Sequence, residues 1–210
     1  MPIILDNIKT DIFSNISLKL NEGEKIAIIG ENGIGKTTFL RTLMGLVPFE
    51  GEMQILDTKL KEKKDFRAVY GELGYLFQDS DDSFIAPSVQ EEIAFSQYNK
   101  TGDFEEAMNR AGKLLNAFKI EHIKDKVPIK LSGGQKRIVS IAAVMAHDPK
   151  ILLLDEPSNH LDTNVSLLVL EKLKEFKGSI IMVAHDIEFA KNIVDKFYKL
   201  DSNGLKEIDV

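Results

Sequence analysis

The segment from residue 30 to residue 37 reads G-x-x-x-x-G-K-T, an arrangement suited to binding phosphate groups. Glycines allow backbone N–H groups to turn toward an anion, and the N-terminus of a following helix adds the positive end of its dipole. The lysine can then reach the β- and γ-phosphates of a nucleotide, and the threonine hydroxyl can ligate Mg²⁺. The residues predicted to bind the nucleotide here are Gly30, Glu31, Asn32, Gly33, Ile34, Gly35, Lys36, Thr37 and Thr38.

Two carboxylates, Asp155 and Glu156, follow four apolar residues at 151–154. Phosphate-loop NTPases hold Mg²⁺ with an aspartate at the end of a buried strand, so Asp155 is a predicted metal ligand. Glu156 is then placed to polarise the attacking water as a general base. A strand that merely runs into an acidic turn would have the same sequence, and the phosphate loop is what favours the catalytic interpretation.

Residues 131–135, L-S-G-G-Q, open a predicted helix and offer a second place where free N–H groups could meet an anion. Ser-Gly-Gly is also a common turn at the start of a helix. The pattern on its own therefore favours the structural interpretation.

The phosphate loop requires a strand before it and a helix after it. Residues 25–29 are short, apolar and β-branched, as a buried strand should be, and residues 37–44 have helical spacing with Gly45 suited to the helix end. Residues 57–65 are charged and predict an exposed turn or the end of a hairpin. Further strands are predicted at residues 3–8, 16–20, 51–56, 73–77, 151–154, 179–183, 197–200 and 205–208.

A helical block is predicted between residues 79 and 149, within an α/β nucleotide-binding core formed by residues 1–78 and 150–210. Its helices are predicted at residues 88–98, 103–118 and 134–146, the first opening with a capping box of Ser88 and Glu91. The core adds helices at residues 164–176 and 186–194. The predicted fold class is α/β: a P-loop NTPase core with a mixed sheet, an antiparallel N-terminal β part and an inserted helical subdomain, together one domain of 210 residues.

Composition limits the possible partners. The net charge of −6 disfavours direct binding of nucleic acid through phosphate neutralisation. The chain contains no cysteine, which fits a cytosolic protein, and no apolar run long enough to span a bilayer. No signal peptide is apparent, so a role at a membrane would require a partner protein.

Together these motifs resemble the nucleotide-binding subunit of an ABC transporter, and the resemblance covers essentially the whole chain. It implies a Mg²⁺-dependent ATPase in which two subunits, identical or different, pair head to tail. The phosphate loop of one subunit and the signature of the other, Ser132, Gly133, Gly134 and Gln135, would enclose each ATP. The resemblance also implies that Gln78 binds Mg²⁺ and senses the membrane partner, that Asp162 joins the two halves, and that His185 contacts the γ-phosphate. Gln78 and His185 would thus act in catalysis with Glu156.

A finer resemblance is to the ATPases of energy-coupling-factor importers of cobalt, nickel and vitamins. It rests on residues 77–95 and on the signature followed by Lys136 and Arg137. It implies that residues 78–95 receive a helix of a transmembrane subunit that presents arginines, and that the protein is peripheral on the cytoplasmic face of the membrane. The acidic residues Asp79, Asp81 and Asp82 would suit such a partner, although a solvated acidic loop would look the same.

Two departures keep alternatives open. The aromatic residue on which most of these ATPases stack adenine is missing near residues 9–12, and Phe13 is expected in an apolar strand position instead. Asn159 and His160 before Leu161-Asp162 are commoner in soluble, ribosome-associated ABC proteins, which have two cassettes where this chain has one. Such a protein, without a membrane partner, is the alternative function. An exporter subunit would share the same chemistry, and the cargo is not encoded here.

Overall fold

The computed structural model describes residues 1–210 except for the side chain of Asp82. The strands are β1 (Ile3–Lys9), β2 (Ile16–Leu20), β3 (Lys25–Ile29), β4 (Glu50–Ile55), β5 (Thr58–Leu60), β6 (Leu73–Leu76), β7 (Ile151–Asp155), β8 (Ser179–Val183), β9 (Lys196–Asp201) and β10 (Gly204–Ile208). The helices are α1 (Lys36–Leu43), α2 (Val89–Thr101), α3 (Phe104–Ala117), α4 (Gly133–Met145), α5 (Thr163–Glu175) and α6 (Ile187–Lys191).

The strands form two sheets. An antiparallel sheet has the order β2-β1-β4-β5, and a six-stranded sheet has the order β10-β9-β3-β8-β7-β6. In the second sheet the strands from β9 to β6 run parallel, whereas β10 is antiparallel to β9. The predicted fold class, a mixed sheet with an antiparallel N-terminal β part, is therefore confirmed.

Strand β7 shows how the six-stranded sheet contributes to two hydrophobic cores, one on each of its faces. Its residues Ile151 and Leu153 pack with α1 and the antiparallel sheet, whereas Leu152 and Leu154 pack with helices α2 to α6. A parallel strand covered on both faces is apolar at every position, which is why β7 has no alternation in its sequence. Strand β2, with one face exposed, does alternate.

The strand register brings the motif-bearing loops to one edge of the sheet. Ile28 of β3 pairs with Val183 of β8, Val183 pairs with Asp155 of β7, and Leu154 of β7 pairs with Leu76 of β6. Because these strands are parallel, the segments that follow them all leave from the same edge. The phosphate loop, Gln78, Glu156 and His185 therefore meet there.

Three local predictions need correction. Residues 58–60, predicted as part of an exposed turn or hairpin end, form strand β5 in a hairpin with β4, because Leu60 is buried against the antiparallel sheet. Phe13 is buried, but it lies in the loop before β2 and packs edge-to-face on Phe39. Ser88 caps α2 by accepting from the Glu91 N–H at 3.3 Å, but the reciprocal bond of the predicted capping box is replaced by a 2.6 Å contact between the two side chains.

Candidate active site

A polar cleft lies at the carboxyl edge of the parallel strands and encloses about 530 Å³. Its walls come from the phosphate loop, from the segments after β6, β7 and β8, and from the loop before β2. The residues that line it are Ile12, Asn32, Gly33, Gly35, Lys36, Thr37, Thr38, Gln78, Glu156 and His185. Most of the predicted nucleotide-binding and catalytic residues are therefore neighbours in space.

The phosphate loop wraps around the buried ammonium group of Lys36. The Lys36 Nζ donates to the carbonyl oxygens of Gly30 and Glu31, each at 2.8 Å. Gly35 has φ 107° at the N-cap of α1, a conformation that glycine adopts without strain, and no side chain that the structure describes caps this helix. The first N–H groups of α1 therefore remain available to an anion. Burial lowers the pKa of Lys36, while Glu156 and Asp155 oppose that shift.

Asp155 is fully buried at the end of β7, beside the Thr37 hydroxyl. Neither carboxylate oxygen has a hydrogen-bond partner of normal geometry among the described residues. Burial raises the pKa of Asp155, the Thr37 hydroxyl opposes this rise, and Glu156 adds to it. An unpartnered buried carboxylate next to a hydroxyl fits Mg²⁺, which proteins hold with one or two carboxylates together with substrate phosphates.

Glu156 has φ 51°, a left-handed conformation that costs a non-glycine residue about 1–3 kcal/mol. Three side chains contact its carboxylate. His185 Nε2 lies 3.1 Å from Oε1, Gln78 Nε2 donates to Oε1 at 3.4 Å, and Asn159 Nδ2 donates to Oε2. The backbone therefore turns this carboxylate away from the strand and into a set of polar groups, where it can accept a proton from a water molecule.

The signature residues and Asp162 do not line this cleft. Ser132 caps α4 in a reciprocal capping box with Gln135, and Asp162 caps α5 by accepting from the N–H groups of Asn164 and Val165 at 2.9 Å. Gly133 and Gly134 lie beside His160. The chain thus presents two separate candidate anion sites.

Three residues to which the sequence analysis assigned no role in the site contribute to it. Ile12 lines the cleft, Asn159 contacts Glu156, and Arg137 lies behind the carboxyl ends of β6 and β7. None of them belongs to the motifs by which the site was predicted, and only the fold brings them together. The arrangement defines a phosphate-loop protein, with groups that can bind a nucleotide, hold Mg²⁺ and activate a water molecule.

Comparison with known proteins identifies the family. Residues 13–159 match the family model described as ABC transporter. A putative ABC transporter ATP-binding protein of Brucella suis biovar 1 is 39% identical over 195 residues, covering 93% of this chain and 82% of that protein. The energy-coupling factor transporter ATP-binding protein EcfA2 of Methanospirillum hungatei is 35% identical over 197 residues, covering 91% of this chain and 50% of that protein.

Solved structures agree with this assignment. The structure of cbiO1 from Clostridium perfringens, part of the ABC transporter complex cbiONQ, has a TM-score of 0.83 at 28% identity and covers 98% of this chain and 86% of that one. The ATP-binding cassette MJ0796, solved as a dimer bound to ADP and phosphate, has a TM-score of 0.84 at 25% identity and covers 99% of each chain.

The chain belongs to the ABC transporter family and is an ATP-binding subunit of that family. It is an ATPase that uses ATP with Mg²⁺. None of the helices in the described part of the chain is long and apolar enough to cross a membrane.

Ile12 lies beside the phosphate loop and lines the cleft, and we expect the nucleotide base to stack on an aromatic residue placed there. Its side chain is 56% exposed, and a Cβ atom added to Gly35 would lie 2.8 Å from its Cγ2 atom. We expect Ile12→Tyr to bind Mg-ATP about fivefold more tightly than the wild type, because stacking of a base on an aromatic ring contributes about 1 kcal/mol or more. Equilibrium titration would measure this, with Ile12→Val as the control. An unchanged affinity would show that the base does not reach residue 12.

Proposed function

We propose that this chain is the ATPase subunit of an energy-coupling-factor type importer of cobalt, nickel or a vitamin, peripheral on the inner face of the membrane. The observation that carries the proposal is an apolar groove on the block of residues 79–149. We take this block as a subdomain inserted into the core of residues 1–78 and 150–210. The names of the relatives EcfA2 and cbiO1 support the same class of transporter.

The apolar groove encloses about 390 Å³ and lies close in sequence to Gln78. Its most exposed large hydrophobic residues are Ile85 (66%), Phe104 (60%), Tyr98 (44%) and Phe95 (41%). A contiguous apolar surface of this kind marks a contact with another protein or with a membrane. The groove residues are Ile85, Ala86, Pro87, Glu91, Ala94, Phe95, Tyr98 and Phe104.

A buried carboxylate holds the rim of this groove in place. Glu92 Oε2 accepts from the N–H groups of Ile85 and Ala86 at 2.9 and 2.8 Å. The rim is thereby fixed to α2, so the partner would meet a preformed surface and less conformational entropy would be lost on binding.

The acidic residues after Gln78 are less available than their sequence predicts. Asp79 accepts from the Asp81 N–H at 2.9 Å, and Asp81 forms an ion pair with Lys136 at 2.6 Å. The side chain of Asp82 lies outside the described part of the structure. An arginine of the partner would therefore have to compete with Lys136 for Asp81.

This competition gives a prediction. Asp81→Asn should weaken association with the transmembrane partner about tenfold or more, because an interfacial charge pair contributes about 1.5 kcal/mol or more. Lys136→Met breaks the same ion pair but keeps the carboxylate, so it should leave association unchanged or strengthened. Binding of each variant to the detergent-solubilised partner, measured at low and high salt, distinguishes the two. Equal losses in both variants would show that the ion pair has only a structural role.

We further propose that two such subunits pair head to tail. Ser132, Gly133, Gly134 and Gln135 of one subunit would complete the cleft of the other, with Asp162 at the interface. Their separation from the cleft of their own chain supports this arrangement, since the signature could then reach a nucleotide only across a dimer. The roles of Gln78 and Thr37 as Mg²⁺ ligands and of His185 at the γ-phosphate belong to the same proposal.

The alternative, a protein that acts on ribosomes or nucleic acid, is favoured by Asn159 and His160. The apolar groove and the net charge of −6 favour the transporter. Purification of the tagged chain from detergent-solubilised membranes tests the choice. We expect a transmembrane protein in stoichiometric amount, which is lost in the variant Phe95→Asp. Recovery of ribosomes without a membrane protein would overturn the proposed function.

A further inference from the structure

Arg137 is a long cationic residue placed almost completely inside the molecule, with 1% of its surface exposed. Its guanidinium group contacts main-chain oxygens from two strand ends. Nη1 donates to the carbonyl oxygens of Phe77 at 2.6 Å and Gln78 at 3.2 Å, and Nη2 donates to those of Glu156 at 2.6 Å and Asp155. One side chain therefore bridges the segments that carry the candidate metal ligands and the candidate base.

The same residue lies in the second turn of α4, two positions after Gln135 of the signature. The Ser132–Gln135 capping box satisfies backbone N–H groups at the N-terminus of α4 and so stabilises its first turn. The guanidinium group therefore connects the signature helix directly to the ends of β6 and β7.

We propose that Arg137 is a positioning residue: it fixes the spacing between the ends of β6 and β7, so that the side chains of Gln78 and Glu156 meet across the cleft, and it makes the signature helix move with them. The proposal rests on the catalytic roles proposed for Gln78 and Glu156. Arg137 itself does not contact the nucleotide cleft.

The chemistry of the contact requires arginine. The four carbonyl oxygens belong to two backbone segments, and a planar guanidinium fork can address both at once, whereas a lysine ammonium is a single point. Burial lowers the pKa of Arg137 to about 10, so the group remains charged near neutral pH. Removing it would leave buried carbonyl oxygens without a donor and free the two strand ends to shift.

The position of the carboxylate explains why a small shift matters. Gln78 Nε2 and Glu156 Oε1 are 3.4 Å apart, already near the limit of a hydrogen bond. A displacement of about 1 Å at a reacting group can cost about 100-fold in rate. The affinity for Mg-ATP rests chiefly on the phosphate loop between β3 and α1, which Arg137 does not contact.

The test compares the variants Arg137→Gln and Arg137→Lys with Val139→Ala. The last creates a cavity at another buried position of the same helix and controls for the effect of lost stability. We expect kcat to fall about 100-fold in Arg137→Gln and about tenfold in Arg137→Lys, the loss that misplacement of a reacting group causes. The Kd for Mg-ATP should stay within about threefold of the wild type in both. Val139 is fully buried, and its truncation should lower the melting temperature while kcat stays within about twofold.

Three results would overturn the proposal. If the Arg137 variants lose no more kcat than Val139→Ala does at the same fall in melting temperature, Arg137 is a packing residue. Parallel losses in kcat and affinity would place its effect on nucleotide binding. Variants too unstable to bind Mg-ATP would show that it serves folding. Loss of turnover in Glu156→Gln, measured alongside, tests the base separately, so failure of the positioning role and failure of the catalytic assignment are distinguishable.

Discussion

Glu156→Gln is expected to bind Mg-ATP as tightly as the wild type and to hydrolyse it at least about 100-fold more slowly, because a general base contributes about that factor or more. Glutamine has almost the same shape but cannot take up the proton of the attacking water. The side chain is nearly buried and already contacts His185, Gln78 and Asn159, so the isosteric change should preserve its position.

Single-turnover kinetics and nucleotide titration would separate the two effects. Glu171→Gln, the same change at an exposed position on α5, is the matched control and should keep the wild-type rate. Hydrolysis by Glu156→Gln at the control rate would assign the role of base to another residue.

Lys36→Ala is expected to weaken Mg-ATP binding about 100-fold, since a charge-assisted hydrogen bond to a phosphate contributes about 1.5–3 kcal/mol and Lys36 can make more than one. Its ammonium group donates to the carbonyl oxygens of Gly30 and Glu31, so the variant also loses the group around which the loop closes.

The affinity of this variant should be compared with that of Lys199→Ala, which removes an exposed lysine of β9. Circular dichroism of both variants would show whether the fold is retained. An affinity of Lys36→Ala equal to that of Lys199→Ala would contradict the assignment of residues 30–37 as the phosphate-binding loop.

Much of the fold follows from local sequence patterns. Strands β3 and β8 and helix α3 have clear periodicity or buried runs, and each is found within one or two residues of its predicted bounds. The family resemblance also predicts that the phosphate loop, Asp155 and His185 serve one site, and the structure delivers them to the same edge on parallel strands. Periodicity missed β5, whose three residues are too few to show a pattern.

The contacts that shape the site could not be predicted in this way. The interaction of Arg137 with two strand ends joins residues 18 to 60 positions apart. The left-handed backbone of Glu156 and its contact with Asn159 depend on how the chain turns after β7. From the sequence alone Asp81 is interpreted as a free acidic residue, because its partner, Lys136, lies 55 positions away in the sequence. Such long-range side-chain contacts leave no periodic signal in the sequence.

Sedimentation of the Glu156→Gln variant with Mg-ATP tests the account most directly, because the proposed ATP sites exist only between two subunits. We predict a particle of twice the monomer mass of 23.6 kDa with Mg-ATP and a monomer with Mg-ADP. Gly134→Asp in the same background, which places a carboxylate at the signature, should prevent dimer formation while leaving the phosphate loop intact. If Glu156→Gln stays a monomer with saturating Mg-ATP, or if it still dimerises when Gly134→Asp is added, the proposed head-to-tail pair is contradicted.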